Sequence, residues 1–375
     1  MHVLIIGAGL AGLTIAQCLR KQGISFEIFD RDTCDDSRFQ GYALTLHTFI
    51  RCERLRLRRW LLSHLKVQWS KHATQFEYDD DGVAVHFEDG SSVKGDFLIG
   101  ADGANSKVRE CLMKCPNSEM LKTIPICTVI GELELSGDAF RHQLELAHSA
   151  YNAVSTNPRF VTLNGLHYVH PDGRSGRFYW NFMEEDETVD DPNHWMRTAT
   201  PKQKHDYVME RVRAGLPPRL REAFELTPVD GIKDRFHLFR DVKLENVPAE
   251  RAILVGDAAH VMTPFRGLGG YNAFVDAFAI SKHLIELHDQ NKDGDIAAIR
   301  ATIDAYNAEM LQRGHAAVQI SRDGQKHAID SAGFMSTMLR WVPSFVKVFL
   351  NFLDSKNRLR AIPRTKVTLP DEVVA

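Results

Sequence analysis

The chain has 375 residues, of which 44% are hydrophobic, so it can bury a large core and form one to three domains. Its 46 basic and 49 acidic residues give a net charge of -3 without a long run of either sign, which argues against a nucleic-acid-binding protein. The six cysteines show no CxxC or ligand-like spacing. They predict packed thiols, no metal site and a reducing, cytoplasmic location.

The first thirty residues predict a β-α-β unit. Val3 to Ile6 form a short buried strand, Leu10 to Lys21 a helix closed by Gly23, and Phe26 to Phe29 a second strand. Glycines at motif spacing interrupt the apolar N-terminal stretch, which therefore predicts the start of the fold and not a signal peptide. A β-α-β start is typical of an α/β fold with a doubly wound parallel sheet.

The next segment predicts short antiparallel strands. From Thr74 onward, the sequence contains short strand-like segments of alternating residue character. Turn dipeptides at Asp81-Gly82 and Asp89-Gly90 separate these segments and favour hairpins. Phe97 to Ile99 then form a buried strand, and a helix is predicted over Ala104 to about Lys114.

A mostly β domain is predicted between about residues 116 and 235, because strands rich in Val, Thr, Phe and Tyr fill Ile124 to Trp180. Tyr179-Trp180-Asn181-Phe182 alternates in character and is a candidate either for core packing or for the wall of a ligand pocket. The histidines of this domain are interpreted as surface or core residues rather than bases: His142, His148, His167 and His170.

Helices dominate the end of the chain. A helix is predicted over roughly Lys202 to Ala214, and Arg251 to Val255 form another buried strand before long helical patterns over Gly270 to Leu287 and Ala297 to Ser321. The apolar stretch Phe334 to Leu353 contains charges and a proline, so it predicts a packed helix pair rather than a membrane span. Peripheral membrane contact of this tail is the weaker alternative.

The first motif is Gly7-Ala8-Gly9-Leu10-Ala11-Gly12, which lies between a strand and a helix. Gly7 makes the tight turn, Gly9 lets the backbone approach a pyrophosphate, and Gly12 permits close helix–strand packing. Asp30 ends the second strand, where a carboxylate accepts hydrogen bonds from ribose hydroxyls. This context predicts dinucleotide binding.

Two further motifs follow downstream. Gly100-Ala101-Asp102-Gly103 runs into a helix that contains Arg109, and by itself it is equally consistent with an ordinary strand-to-helix turn capped by Asn105 or Ser106. The third motif begins at Gly256-Asp257 and continues through a loop from Pro264 to Asn272. Asp257 can hold a sugar or ribityl hydroxyl, and the glycine-rich loop offers N–H groups to a phosphate or a flavin edge.

In this order, the three motifs resemble the single-component, group A FAD monooxygenases of the para-hydroxybenzoate hydroxylase type, over most of residues 1–325. The resemblance implies a Rossmann-like FAD domain of the glutathione-reductase type, an inserted substrate domain and a C-terminal helical region. The implied division is 1–115, 116–235, 236–325 and 326–375. The resemblance also implies cofactor-binding roles, with Pro264 shaping the site, for Gly7, Gly9, Gly12, Asp30, Arg31, Gly41, Ala43, Arg58, Asp102, Gly103, Arg109, Gly256, Asp257, Pro264, Gly267, Gly269, Gly270 and Asn272.

The chain departs from this family in the segment before Arg58. The resemblance gives Arg58 the role of the arginine that reaches the FAD pyrophosphate. Only a dozen or so residues separate Gly41 from the helix that carries Arg58, whereas family members usually have a helix and a pair of strands there. We therefore expect a deletion near residues 45–55 and a substrate pocket that is either open or reshaped.

The resemblance implies an enzyme that uses FAD, NADPH or NADH, and O₂ to hydroxylate or epoxidise a small aromatic or polycyclic substrate through a C4a-hydroperoxyflavin. Such enzymes are frequent in secondary metabolism. The flavin is the reactive group, so no side chain is assigned as catalytic. A flavin reached by water releases H₂O₂ instead of transferring oxygen. The alternatives are therefore an uncoupled NAD(P)H oxidase or a truncated, inactive FAD-fold protein.

Overall fold

The computed structural model describes residues 1–37, 42–47, 50–147 and 149–341. Contacts divide the chain into two compact units, Met1–Asp330 and Ser331–Ala375. The predicted helix pair over Phe334 to Leu353 lies mostly outside the described residues, as does Gly41. Among the helices of the described ranges, none has the length and apolar character that crossing a membrane requires.

The first third of the chain alternates strands and helices. Its elements are β1 (His2–Ile6), α1 (Leu10–Lys21), β2 (Ser25–Phe29), β3 (Ala43–His47), β4 (Ile50–Glu53), α2 (Arg54–Leu62), β5 (Val67–Gln68), β6 (Ala73–Tyr78), β7 (Val83–Phe87), β8 (Ser92–Gly95), β9 (Phe97–Gly100) and α3 (Lys107–Met113).

Long strands and then long helices make up the rest. These are α4 (Asn117–Met120), β10 (Lys122–Thr123), β11 (Ile126–Ser136), α5 (Gly137–Leu146), β12 (Ala150–Thr156), β13 (Arg159–Val169), β14 (Ser175–Glu185), α6 (Pro201–Gly215), α7 (Pro218–Glu225), β15 (Arg240–Asp241), β16 (Ala252–Leu254), α8 (Asp257–His260), α9 (Leu268–Asp289) and α10 (Ile296–Trp341).

A parallel five-stranded sheet in the order β16-β9-β1-β2-β5 forms the centre of the first unit. Its three adjacent strands β16, β9 and β1 are almost wholly buried. Their side chains are apolar on both faces because a parallel sheet of this kind is covered on both sides. Helices α1 and α9 pack against each other. The α/β fold predicted from the sequence is confirmed.

A second, antiparallel sheet has the order β11-β14-β13-β12. Side chains of β14 alternate between its two faces. Trp180 and Phe182 lie in a large apolar core with α6 and α7, whereas Met183 belongs to a smaller cluster on the opposite face. The parallel sheet contains four strands that precede this antiparallel sheet in sequence and one, β16, that follows it. The proposed four-part division of the chain stays a prediction.

Several predicted elements differ from the observed ones. Helix α3 begins at Lys107 and not at Ala104, because the side chains of Asp102 and Ser106 accept hydrogen bonds from its first N–H groups. Helices α5 and α7 were not predicted. In the segment before α2, β3 and β4 pair in antiparallel fashion. The deletion expected near residues 45–55 stays a prediction.

Candidate active site

The three sequence motifs meet at one edge of the parallel sheet. The first follows β1, the second follows β9 and the third follows β16, and these strands are neighbours. The carboxyl ends of parallel strands lie at the same edge, which is where open α/β sheets bind their ligands. Topology therefore brings together residues that are far apart in sequence.

The glycines of the first motif have two different structural roles. A Cβ at Gly7, whose φ is +111°, would lie 2.3 Å from the carbonyl oxygen of Ala101, and one at Gly12 would lie 2.1 Å from the oxygen of Gly7. Both positions therefore require glycine for packing. At Gly9 no described atom lies within 4 Å of such a Cβ. Gly9 is thus the position where the backbone faces open space at the start of α1.

Asp30 and Arg58 both hold the glycine-rich turn. The Asp30 carboxylate accepts the N–H of Ala8 at 2.6 Å and that of Asp32 at 2.9 Å. The buried Arg58 guanidinium donates to the carbonyl oxygen of Ala8 at 2.9 Å and also to that of Asp35. The structure therefore places Arg58 beside the first motif. Its contact with a pyrophosphate stays a prediction, as does the role of the exposed Arg31.

The second motif is built around helix α3. Asp102 accepts hydrogen bonds from the Ser106 hydroxyl at 2.5 Å and from the N–H of Lys107 at 2.6 Å, so its carboxylate caps the helix. Gly103 has a φ of +82°, in the region that favours glycine. Of the two cap residues that the sequence left open, Ser106 is the N-cap residue of α3. A ligand role for Asp102 and Gly103 stays a prediction.

Arg109 joins the second motif to the third. Its side chain is 0% exposed, and Nη1 donates to the carbonyl oxygen of Ala258 at 2.9 Å. Nε donates to Asn117 at 2.9 Å, and Nη2 donates to the carbonyl oxygen of Ala104 at 2.5 Å. Burial lowers the pKa of Arg109, and Asp102 opposes this shift. Arg109 thus acts on the site by fixing the backbone beside Asp257.

The third motif leaves room for a ligand. The carboxylate of Asp257 accepts no hydrogen bond from any described residue, and a Cβ at Gly269 would lie 3.7 Å from its Oδ1. Around Gly267, whose φ is +64°, no described atom lies within 4 Å of such a Cβ. Gly270, in contrast, packs against Leu44 of β3. An unpaired carboxylate beside an open glycine backbone fits a hydroxyl-bearing ligand.

The remaining predicted residues lie in or near this loop. Pro264 begins a 3₁₀ turn, and Asn272 is buried at the start of α9, where its amide donates to the carbonyl oxygen of Leu268 at 2.9 Å. Ala43 lies in β3 and pairs with Glu53 of β4. Gly256 has a φ of +60° and is followed directly by α8.

A buried charge network behind the loop was not predicted. Asp276 accepts the N–H of Gly256 at 2.6 Å, His260 Nε2 at 2.7 Å and the Arg313 guanidinium at 2.7 Å. Arg313 also donates to Asn272 at 3.1 Å. Burial raises the pKa of Asp276, but the nearby His260 and Arg313 outweigh burial, so the net pKa is lowered. Burial alone would lower the pKa of His260, but the Asp276 carboxylate outweighs burial, so the pKa of His260 is raised.

One face of the antiparallel sheet contacts the surroundings of this loop. Phe265, in the 3₁₀ turn of the third motif, packs against a cluster that includes Ile126, Val161 and Met183. Asn181 shares this face with Met183 and is half-buried. The structure therefore divides the predicted alternating segment, with Asn181 on the loop side and Trp180 in the opposite core.

A comparison of the open position Gly9 with the packed position Gly12 gives a direct test of cofactor binding. We expect Gly9→Ala to lower FAD affinity by about tenfold or more, because its Cβ would occupy the space that a pyrophosphate needs. Its stability without FAD should change by less than about 0.5 kcal/mol. Gly12→Ala is the matched comparison and should lose about 1–3 kcal/mol through overpacking. FAD titration and urea unfolding measure both effects, and equal loss of stability in the two variants would contradict this assignment.

Comparisons with known proteins agree with this geometry. A family model described as an FAD binding domain matches residues 51–321, and one described as an NAD(P)-binding Rossmann-like domain matches residues 5–34. FAD-dependent monooxygenase thnD of Trichoderma harzianum is 45% identical over 381 residues, which cover 87% of this chain and 94% of the relative. This alignment is longer than the chain itself, so the relative has residues without a counterpart here.

Solved structures share the fold. A putative FAD-containing monooxygenase from Photorhabdus luminescens has a TM-score of 0.71 at 22% identity and covers 88% of this chain and 99% of its own. Klebsiella pneumoniae HpxO complexed with FAD and uric acid has a TM-score of 0.68 at 19% identity, covering 93% and 95%.

Both family models support FAD as the cofactor and NAD(P)H as the co-substrate. The first of them spans more than half of the chain, and the 45% identical relative is matched over nearly its whole length. The chain therefore belongs to the FAD-dependent monooxygenases of the para-hydroxybenzoate hydroxylase type.

Proposed function

We propose that this monooxygenase takes electrons from NADPH or NADH and uses O₂ to hydroxylate or epoxidise a small aromatic or polycyclic substrate in secondary metabolism. The main support for this proposal is the face of the antiparallel sheet that contacts Phe265 of the glycine-rich loop, Pro264 to Asn272. It combines apolar side chains such as Ile130 and Leu163 with the polar pair Thr128 and Asn181. A mostly apolar surface with a few polar groups is typical of sites for small organic ligands. Uric acid, the ligand of the HpxO neighbour, is likewise a flat ring system.

The residues of the three motifs fit FAD by their chemistry. The open backbone at Gly9, at the N-terminus of α1, would hold the pyrophosphate, with Arg58 beside this turn. The Asp257 carboxylate would accept a ribityl hydroxyl, and the N–H groups near Gly267 would face the flavin ring. FAD, when bound, supplies electron transfer from NAD(P)H and activation of O₂.

The protein's own contribution is binding, orientation and exclusion of water. The Asp276 network fixes Gly256 and Asn272, which are the first and last residues of the third motif. Asn181 lies where an amide can donate to or accept from a polar group of the substrate. These positions orient a flat substrate against the loop, and no side chain among them needs to act as a nucleophile.

The alternatives, an uncoupled NAD(P)H oxidase or an inactive FAD-binding protein, depend on the shortened segment before α2. One experiment separates all three. We expect purified protein to carry flavin absorbance and to oxidise NADPH or NADH faster when phenols, naphthols or hydroxyanthraquinones are added, with one of them gaining an oxygen atom by mass spectrometry. Stoichiometric H₂O₂ with no oxygenated product would favour the oxidase. Bound flavin that NAD(P)H does not reduce would favour the inactive protein.

A further inference from the structure

The hairpin of β3 and β4 brings an aromatic side chain to the antiparallel sheet. Tyr42, directly before β3, stacks on Tyr179 of β14 with ring centroids 3.8 Å apart and an angle of 10° between the rings. Both side chains are buried, at 7% and 5% exposure, and Ile130 of β11 completes this small cluster. The two rings thus join segments that are distant in the chain.

The sheet is shaped to hold the ring of Tyr179. A Cβ at Gly165, on the neighbouring strand β13, would lie 2.6 Å from the Tyr179 ring. The ring therefore lies across the space that a glycine leaves free. Any larger residue at position 165 would displace it from the stack.

Polar partners fix Tyr42 from the other sides. His167 meets the Tyr42 ring edge-on, with centroids 5.2 Å apart, and pairs with Glu53 of β4 at 3.5 Å. Burial and the neighbouring Glu132 carboxylate raise the pKa of the Tyr42 phenol. Glu132 is itself bound by Lys233 at 2.7 Å. Polar contacts with His167 and Glu132, in addition to apolar contacts, therefore fix the position of the Tyr42 ring in the stack.

The stack lies on the sheet face proposed to bind substrate, and β3 links it to the glycine-rich loop of the third motif. Leu44, two residues after Tyr42, packs against Gly270 of the third motif. Asn181, two residues after Tyr179 in β14, lies on the same sheet face as Tyr179. The 45% identical relative has residues without a counterpart in this chain. The family resemblance predicts that residues are missing in the segment before α2, and this stays a prediction.

We propose that the stacked rings of Tyr42 and Tyr179 form the wall that closes the substrate side of the flavin site in this shortened chain and keeps water from it. The proposal rests on the proposed function, because it assumes that FAD binds at the glycine-rich loop. An enclosed site protects oxygen transfer from loss to H₂O₂. The wall is a positioning feature, and neither tyrosine is assigned a chemical step.

The test measures how easily iodide reaches bound FAD. We expect Tyr179→Ala and Tyr42→Ala to raise the Stern–Volmer constant for iodide quenching of flavin fluorescence several-fold in protein that retains FAD after gel filtration. The same variants should release a larger share of NADPH electrons as H₂O₂. Tyr179→Phe keeps the stacked ring and should behave as the unmodified protein does.

Tyr151→Ala is the matched control, because Tyr151 lies on the same sheet but packs in the core of its opposite face. Unchanged quenching in both alanine variants, or an equal rise in Tyr151→Ala, would overturn the proposal. If the alanine variants do not fold or retain FAD, Gly165→Ala decides, since it keeps both tyrosines and displaces one ring. Quenching needs no turnover, so an enzyme that fails to oxidise NADPH would contradict the proposed function and leave this readout intact.

Discussion

Replacing Asp276 by alanine is expected to lower the free energy of unfolding by about 3–5 kcal/mol. Asp276 is 0% exposed and is the common acceptor for Gly256, His260 and Arg313. Without its carboxylate, a buried N–H group, the His260 imidazole and the Arg313 guanidinium lose their partner in a medium that solvates charge poorly. Urea unfolding at one fixed FAD concentration measures the loss, because bound ligand adds to the apparent stability.

Glu309 provides the matched control for this prediction. It also pairs with Arg313, at 2.8 Å, but its side chain is 52% exposed. Water and salt screen such a pair, so Glu309→Gln should cost less than about 1 kcal/mol. If Asp276→Ala and Glu309→Gln lost the same stability, the buried network would not anchor the loop as inferred.

The Asp276 variant should also bind FAD more weakly than Glu309→Gln does. Gly256 precedes Asp257 directly, and Arg313 contacts Asn272 at the start of α9. The first and last residues of the third motif therefore depend on one carboxylate. A stability loss without any loss of FAD affinity would assign Asp276 to the core alone.

The edge of the parallel sheet that carries the motifs was predictable because strand ends and glycines have local signatures. The first motif lies between a buried strand and a helix, and the second and third each follow a short apolar strand. These features depend on residues that are neighbours in the chain. The family resemblance then followed from their order.

Asp276 was missed because a carboxylate in a helix is usually exposed. A signal was nevertheless present in the sequence. Asp276 lies one residue from Ala277 and four residues before Ile280, both of which are buried, so it occupies the apolar stripe of α9. An acidic residue at such a position needs a buried partner, and the sequence alone does not say that Arg313 supplies it.

The stack of Tyr42 on Tyr179 was not predictable for a different reason. It joins a hairpin near the first motif to a strand of the inserted sheet, and its geometry depends on the register that places Gly165 beside Tyr179. Register is set by long-range packing rather than by local sequence. The open or reshaped pocket expected from the shortened segment stays a prediction, and the structure shows that Tyr42 of this segment is buried against Tyr179.

Arg109→Lys is expected to destabilise the protein by roughly 1–3 kcal/mol for each buried acceptor left without a donor. The planar guanidinium serves Asn117 and the carbonyl oxygens of Ala104 and Ala258 at once. A lysine ammonium is a single point donor on a flexible stem, so it does not reproduce this fork. The substitution keeps the positive charge and therefore tests geometry alone.

The functional consequence of Arg109→Lys follows from its bond to the third motif. Ala258 directly follows Asp257, so a loose Ala258 carbonyl lets the Asp257 carboxylate shift away from the ribityl hydroxyl that it is proposed to hold. A loss of 1.4 kcal/mol in binding corresponds to about a tenfold weaker FAD affinity, which fluorescence titration resolves readily.

Lys107→Ala, on the exposed side of the same helix, is the control and should leave FAD affinity unchanged. If Arg109→Lys lost stability but bound FAD as tightly as the unmodified protein, Arg109 would contribute to the stability of the fold and not to FAD binding. The FAD-binding role that the family motif implies for this arginine would then be contradicted. If affinity and stability fall together, the second motif acts on FAD through the backbone of the third, since the Arg109 side chain is fully buried and its hydrogen bonds go to the protein.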